Sequence, residues 1–150
     1  MLLIVVLLLF ASMAFGQVSR PNTCVPAGEG DRTSWVHDHL VINAEDKPIR
    51  NLRGTVRNVL NQPIQGVLVE IFPRKAGDPD PVHFNGNDSS GRRVEACVTD
   101  ESGEFSFELG AGHYEVRGSK PDWNPTSMLV LVDRRRGSKK LLTVPLKVGD

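Results

Sequence analysis

The residues suited to chemistry lie in small groups scattered along the chain. His37-Asp38-His39 sets two imidazoles around a carboxylate, side chains that ligate zinc. On a strand, His37 and His39 share one face and Asp38 takes the other. No third ligand is identifiable, and a polar strand face explains the triplet equally well, so no metal and no cofactor are expected. His83 and His113 bring no HxxE or HExxH pattern with them. The loop GDPDPVHFNGNDSSG (77–91) gathers Asp78, Asp80, Asn85, Asn87 and Asp88 around Phe84. Its oxygens are of the kind that hold Ca²⁺, and Phe84 among Asn85, Asn87 and Asp88 is a candidate sugar contact. It lacks the D-x-[DN]-x-[DN]-G register with a distal Glu, and a plain connection accounts for it as well. Asn87-Asp88-Ser89 is a glycosylation sequon only in a eukaryotic secretory host. Trp35 and Trp123 form a carbohydrate-stacking surface if exposed, or a lid over the core if not. Arg134-Arg135-Arg136 with Lys139-Lys140 makes a basic tip suited to anionic polysaccharide, lipid headgroups or a partner protein. The same charges also serve to guard an edge strand. No G-x-S-x-G elbow, Gly-rich phosphate loop or paired carboxylates stand out. With no complete catalytic set, the chain is expected not to be an enzyme.

Where these groups act depends on the compartment. Of the 150 residues, 18 are basic and 18 acidic, and 39% are hydrophobic against 6% aromatic. The net charge of +0 argues against bulk attraction to nucleic acid, so no nucleic-acid partner is expected. Residues 2–11 (LLIVVLLLFA) are apolar, and the first charged side chain is Arg20. That run falls short of the roughly 20 residues of a membrane-spanning helix. Ala14-Phe15-Gly16 before Gln17 fits a small-residue cleavage site, so 1–16 reads as a signal peptide, although its n-region lacks Lys and Arg. The expected product is secreted or periplasmic, without a membrane span after cleavage, and no Cys follows the site to carry a lipid. In an oxidising compartment Cys24 and Cys97 are expected to form a disulfide, two separate buried thiols being the alternative. The absence of CxxC spacing gives no support to redox catalysis.

The elements that must position these side chains read as strands. Residues 17–50 form an extended arm, punctuated by Pro21, Pro26, Gly28, Gly30 and Pro48, in which WVHDHLVIN (35–43) is a candidate edge strand. Short alternating runs follow at 52–60, 66–72, 92–99, 104–109, 113–119, 127–133 and 140–148. Val67, Val69 and Ile71 share one face, as do Phe105, Phe107 and Leu109. Asn61-Gln62-Pro63, Asp100-Glu101-Ser102-Gly103 and Gly110-Ala111-Gly112 supply turns. Pro145 suits an edge strand. The expected fold is all-β: a seven-stranded antiparallel Greek-key sandwich, prealbumin-like or immunoglobulin-like, with an extended N-terminal arm.

Four pieces in order carry a resemblance: Gly54-Thr55-Val56, then Asn61-Gln62-Pro63-Ile64-Gln65-Gly66-Val67, then Thr99-Asp100-Glu101-Ser102-Gly103-Glu104-Phe105, then Gly112-His113-Tyr114-Glu115-Val116. Over 51–148 the chain resembles the carboxypeptidase regulatory-like domain, a prealbumin-like sandwich of secreted proteins. The resemblance implies that Asp100 accepts amide protons across its turn, that Phe105 starts the buried face, and that Tyr114 ties its hydroxyl to nearby backbone. It also implies an accessory module, since the zinc-peptidase chemistry of the family name belongs to a separate domain. Two enzymes on related sandwiches fit poorly. Intradiol dioxygenases bind iron through two Tyr and two His, whereas this chain has one Tyr. Hydroxyisourate hydrolases end in Tyr-Arg-Gly-Ser, whereas this chain ends Lys147-Val148-Gly149-Asp150 and holds Arg117-Gly118-Ser119 mid-chain. A collagen-adhesin-type isopeptide needs a Lys on the first strand, which offers Arg53 and Arg57 instead. The resulting expectation is a secreted, non-enzymatic accessory module that binds a protein or cell-envelope partner. A carbohydrate-binding module using Trp35, Trp123 or the 77–91 loop is the alternative.

Overall fold

A computed structural model describes residues 24–28, 40–43, 47–77 and 93–149, and short runs of apolar and β-branched residues between turns form its strands. Eleven strands occur among them: β1 (Cys24–Pro26), β2 (Leu40–Asn43), β3 (Leu52–Arg57), β4 (Leu68–Arg74), β5 (Glu95–Thr99), β6 (Glu104–Phe107), β7 (Gly112–Ser119), β8 (Trp123–Asn124), β9 (Thr126–Val132), β10 (Leu142–Pro145) and β11 (Lys147–Val148). The described residues contain no helix, and hence none long and apolar enough to cross a membrane.

The strands form a six-stranded sheet in the order β1-β5-β4-β7-β9-β2, a three-stranded sheet β10-β3-β6 and a two-stranded ladder β11-β8. Inward residues of both larger sheets make one core. Leu52 and Val56 of β3, Phe105 and Phe107 of β6 and Val144 of β10 meet Val69, Ile71, Val116, Met128, Val130 and Val132 of the larger sheet. Full burial of such a side chain stabilises by roughly 1.5–3 kcal/mol. The fold is therefore all-β, built of largely antiparallel sheets and consistent with a β-sandwich.

Three details differ from the expectation read in the sequence. The described residues form eleven strands, where seven were expected. The run 140–148 divides at Leu146, which is buried in the core between β10 and β11, and Trp123–Asn124 forms a two-residue strand that pairs with β11. Two pairings are parallel, β10 with β3 and β2 with β9, because each joins segments far apart in sequence rather than a hairpin. Finally, the 17–50 segment supplies, besides the edge strand β2 within the expected 35–43 run, a second edge strand, β1, at the other side of the six-stranded sheet.

The disulfide explains one of those edges. Cys24 pairs with Thr99, and Pro26 with Cys97, so the two cysteines stand diagonally on the same face. They are bonded, with Cα atoms 5.5 Å apart, which removes the alternative of two separate thiols. Pro145 lies on edge strand β10, where its missing N–H costs no ladder bond to a further strand. The turn Asp100–Gly103 is closed by the Gly103 amide donating to Asp100 O (3.0 Å), with Gly103 at φ +66°. A Cβ on Gly103 would also meet the Val56 carbonyl oxygen at 2.7 Å, so the position demands glycine twice over.

Candidate functional site

The basic tip is built from its backbone outward. The chain leaves β9 at Val132, turns through Asp133–Gly137 and passes Ser138 toward β10. Asp133 Oδ1 accepts the amide protons of Arg135 (2.9 Å) and Arg136 (3.0 Å), and the Gly137 amide donates to Asp133 O (2.7 Å). These bonds from the Arg136 and Arg135 amides hold the Asp133 carboxyl below the usual carboxylate range, with a smaller Coulombic contribution from the same two arginines.

A second segment clamps the turn. The Ile49 amide donates to Leu131 O, Asp133 to Ile49 O, Ser138 to Pro48 O and Arg50 to Ser138 O, all at 2.8–2.9 Å. Gly137 is buried at this crossing, and a Cβ there would run into Ile49, Arg50 and the Asp133 carbonyl oxygen. Arg134 Nε donates to Leu109 O (3.1 Å), which ties the turn to the segment after β6. Arg134, Arg135, Arg136, Lys139 and Lys140 are exposed. Five cationic side chains thus stand on a backbone fixed at both ends.

The basic turn and the Asp100–Gly103 turn lie at opposite ends of β6. Arg134 bonds to Leu109 at the Phe107 end of β6, whereas Asp100, Glu101 and Glu104 lie at the other end of that strand. In the turn before β6, Asp100 Oδ1 accepts from the Ser102 hydroxyl (2.6 Å) and amide (3.0 Å). The Ser102 side-chain bond is the main reason its carboxyl lies low.

A second polar cluster went unread in the sequence. Glu115 is fully buried. Its Oε1 accepts from Arg117 Nε (2.8 Å) and the Ser127 hydroxyl (2.6 Å), while Oε2 accepts from Arg117 Nη2 (3.3 Å) and faces Arg74 Nη1 at 3.5 Å. Beside it Glu70 pairs with Arg93 Nη1 (3.0 Å), and Arg93 Nη2 reaches Gly28 O (2.6 Å). Phe72 lies over the Arg117 guanidinium, 4.1 Å from ring centroid to Cζ. The cluster joins β4, β7 and β9 on the face opposite Val116 and Met128. Its signal was present as Glu115-x-Arg117, an i, i+2 pair on one strand face.

Of the other candidates, Trp123 is half-buried and packed against the core, with Lys120 Nζ 5.9 Å from its ring centroid. Tyr114 packs against the core and donates its hydroxyl to Gly110 O (3.2 Å), in the role the resemblance implied. Trp35, the His37-Asp38-His39 triplet, residues 78–91 with Phe84, Asn85, Asn87 and Asp88, and the 1–16 segment lie outside the described residues. Among those described, no group of three or more His, Cys, Asp or Glu is placed to hold a metal ion.

No protein-family model and no curated protein matches the chain. Solved structures that match at low similarity include chlorocatechol 1,2-dioxygenase from Pseudomonas putida and 3-chlorocatechol 1,2-dioxygenase from Rhodococcus opacus 1CP. Identity is 12% and 13%, over 74% and 73% of this chain, with a TM-score of 0.38 in both cases. The match spans 64% of each dioxygenase. A likeness of that degree assigns no activity to this chain. The expectation that it is not an enzyme is nevertheless corrected: the structures it resembles are enzymes, and its enzyme status is not established.

Proposed function

We propose that this chain is a secreted or periplasmic interaction module that engages a protein or cell-envelope partner through its basic turn. In this reading the sandwich is a prealbumin-like Greek key of the carboxypeptidase regulatory-like kind, and 1–16 is its export signal. The observation that carries the proposal is the clamped turn: Asp133, Gly137 and the Ile49–Arg50 backbone hold Arg134–Arg136 in place. A fixed backbone lowers the ordering cost of binding. The charge is local, on a chain of zero net charge, so the partner meets a patch rather than a uniformly basic surface. Among partners, an anionic envelope polysaccharide fits this chemistry best. The disulfide agrees with an oxidising compartment.

The test is co-sedimentation of the oxidised protein with insoluble anionic and neutral polysaccharides, alongside Arg135→Ser/Arg136→Ser and Trp123→Ala. Each basic residue near an anionic surface contributes about 1 kcal/mol, so the double variant is expected to bind about 30-fold more weakly. Retention on anionic polymer that survives the double variant, or that is lost only in Trp123→Ala, rejects the turn as the site.

A further inference from the structure

The basic turn has a neighbour that is distant in sequence. In the ladder between β7 and β9, Gly112 stands opposite Val132 and His113 opposite Leu131, so the start of β7 lies beside the strand end that enters the turn. One strand spacing, about 4.8 Å, separates His113 from Leu131, four residues ahead of Arg135. The bond from Arg134 Nε to Leu109 O draws the segment before β7 to the same place. His113 is exposed. Its side chain takes the face of β7 shared by Glu115 and Arg117, because residues two apart on a strand point the same way. The charged groups around it are largely engaged with one another. Opposite it on β4 stands Arg74, whose Nη1 lies 3.5 Å from Glu115 Oε2, and exposed Lys75 follows. Opposite it on β9 stands Leu131, which carries no charge. Glu115, two residues on, accepts from Arg117 and Ser127, and Asp133 accepts from the Arg135 and Arg136 amides. Glu108 is exposed on the other side of Leu109.

We propose that His113 is a further contact of the basic turn: an anionic polysaccharide held at Arg135 and Arg136 runs across the start of β7 and is bound there by the imidazole. The inference rests on the function proposed above and adds a property to it. A polymer is longer than the turn, so a segment bound by the arginines continues over the surface beside them. An imidazole gains a positive charge as pH falls from about 8 to about 5. The extended site therefore holds a polyanion more tightly in mildly acidic surroundings. The turn itself persists over that range, because its Asp133 carboxyl lies below the usual carboxylate values and keeps both amide bonds.

The experiment measures binding of the oxidised full chain to a dextran sulfate oligosaccharide at pH 7.5 and pH 5.5, at constant ionic strength, for wild type, His113→Asn and His113→Lys. The sulfates stay ionised throughout, so a change with pH comes from the protein. One added cation near an anionic surface strengthens binding about fivefold, and wild type is expected to bind about fivefold tighter at pH 5.5. His113→Asn is expected to lose most of that gain, and His113→Lys to bind at pH 7.5 as wild type does at pH 5.5. In spectra of the ¹⁵N-labelled protein, the oligosaccharide is expected to move the Gly112 and His113 amides together with those of Arg135 and Arg136. The Ser102 and Gly103 amides, at the other end of β6, are expected to stay in place. A His113→Asn variant that keeps most of the gain, or shifts confined to the turn, overturns the contact and leaves the turn as the site. Wild type that binds at neither pH rejects the function proposed above and this contact with it, so the two failures are distinguishable.

Discussion

Asp133 concentrates much of the turn's order in one carboxylate, because its Oδ1 holds two successive amides, those of Arg135 and Arg136. Its pKa in the folded chain lies below the ordinary value of about 3.9 for an unfolded Asp. The linkage has a definite sign: a depressed folded pKa contributes stability that is fully present above the unfolded value and is lost as pH falls through the folded one. Exchange protection of the Arg135 and Arg136 amides is therefore expected to be flat from neutral pH down to about pH 5 and to fall below about pH 4. Protection that declines already near neutral pH contradicts the cap. Gly137 is the other fixed residue of the turn. Gly137→Ala drives a Cβ into the Ile49–Arg50 backbone, and overpacking of this kind costs about 1–3 kcal/mol. A urea midpoint unchanged in Gly137→Ala is the opposing result. The sequence showed the charges of this turn but not its construction. Gly137 and Asp133 acquire their roles only when Ile49–Arg50 is laid across them, a contact between segments more than 80 residues apart.

At the scale of elements, β4, β7 and β9 are joined by the Glu115 network as well as by their ladders. Glu115→Ala strips a buried carboxylate from Arg117 and Ser127 at once. Removing one partner of a buried ion pair costs about 3–5 kcal/mol, so a large drop in the urea midpoint is expected. A change below about 1 kcal/mol, the range of exposed pairs, shows that the network is solvated. The staple from β1 to β5 is tested by reduction or by Cys24→Ala/Cys97→Ala. It spans 73 residues of sequence separation, and in the chain-entropy model its loss costs about 4 kcal/mol. Equal stability of oxidised and reduced protein contradicts that contribution. Strands β3 to β7 and β9 were legible in the sequence because each is a short run rich in apolar, β-branched or aromatic residues closed by turn residues. β8 and β11 were not, since two residues carry no period. The parallel partners of β2 and β10 were also hidden, because register between distant segments is set by packing and not by a turn. The Glu115 cluster went unread because charged residues on one strand face carry no sign of burial until both faces of the sheet are covered.

The whole molecule combines zero net charge with a local basic turn. Its basic turn lies at one end, and Asp100, Glu101 and Glu104 lie at the other end of β6. Such a particle is not drawn to every polyanion from afar; it binds once the turn is presented, over distances set by a Debye length of about 10 Å at 0.1 M salt. The most direct measurement of this claim is the affinity of the oxidised protein for an immobilised anionic polysaccharide across a salt series, against a neutral polysaccharide of the same backbone. The account predicts binding to the anionic polymer only, weakening steadily as salt rises, with a shallower salt dependence in Arg135→Ser/Arg136→Ser. Equal binding to both polymers, or a salt dependence unchanged by the double variant, contradicts it.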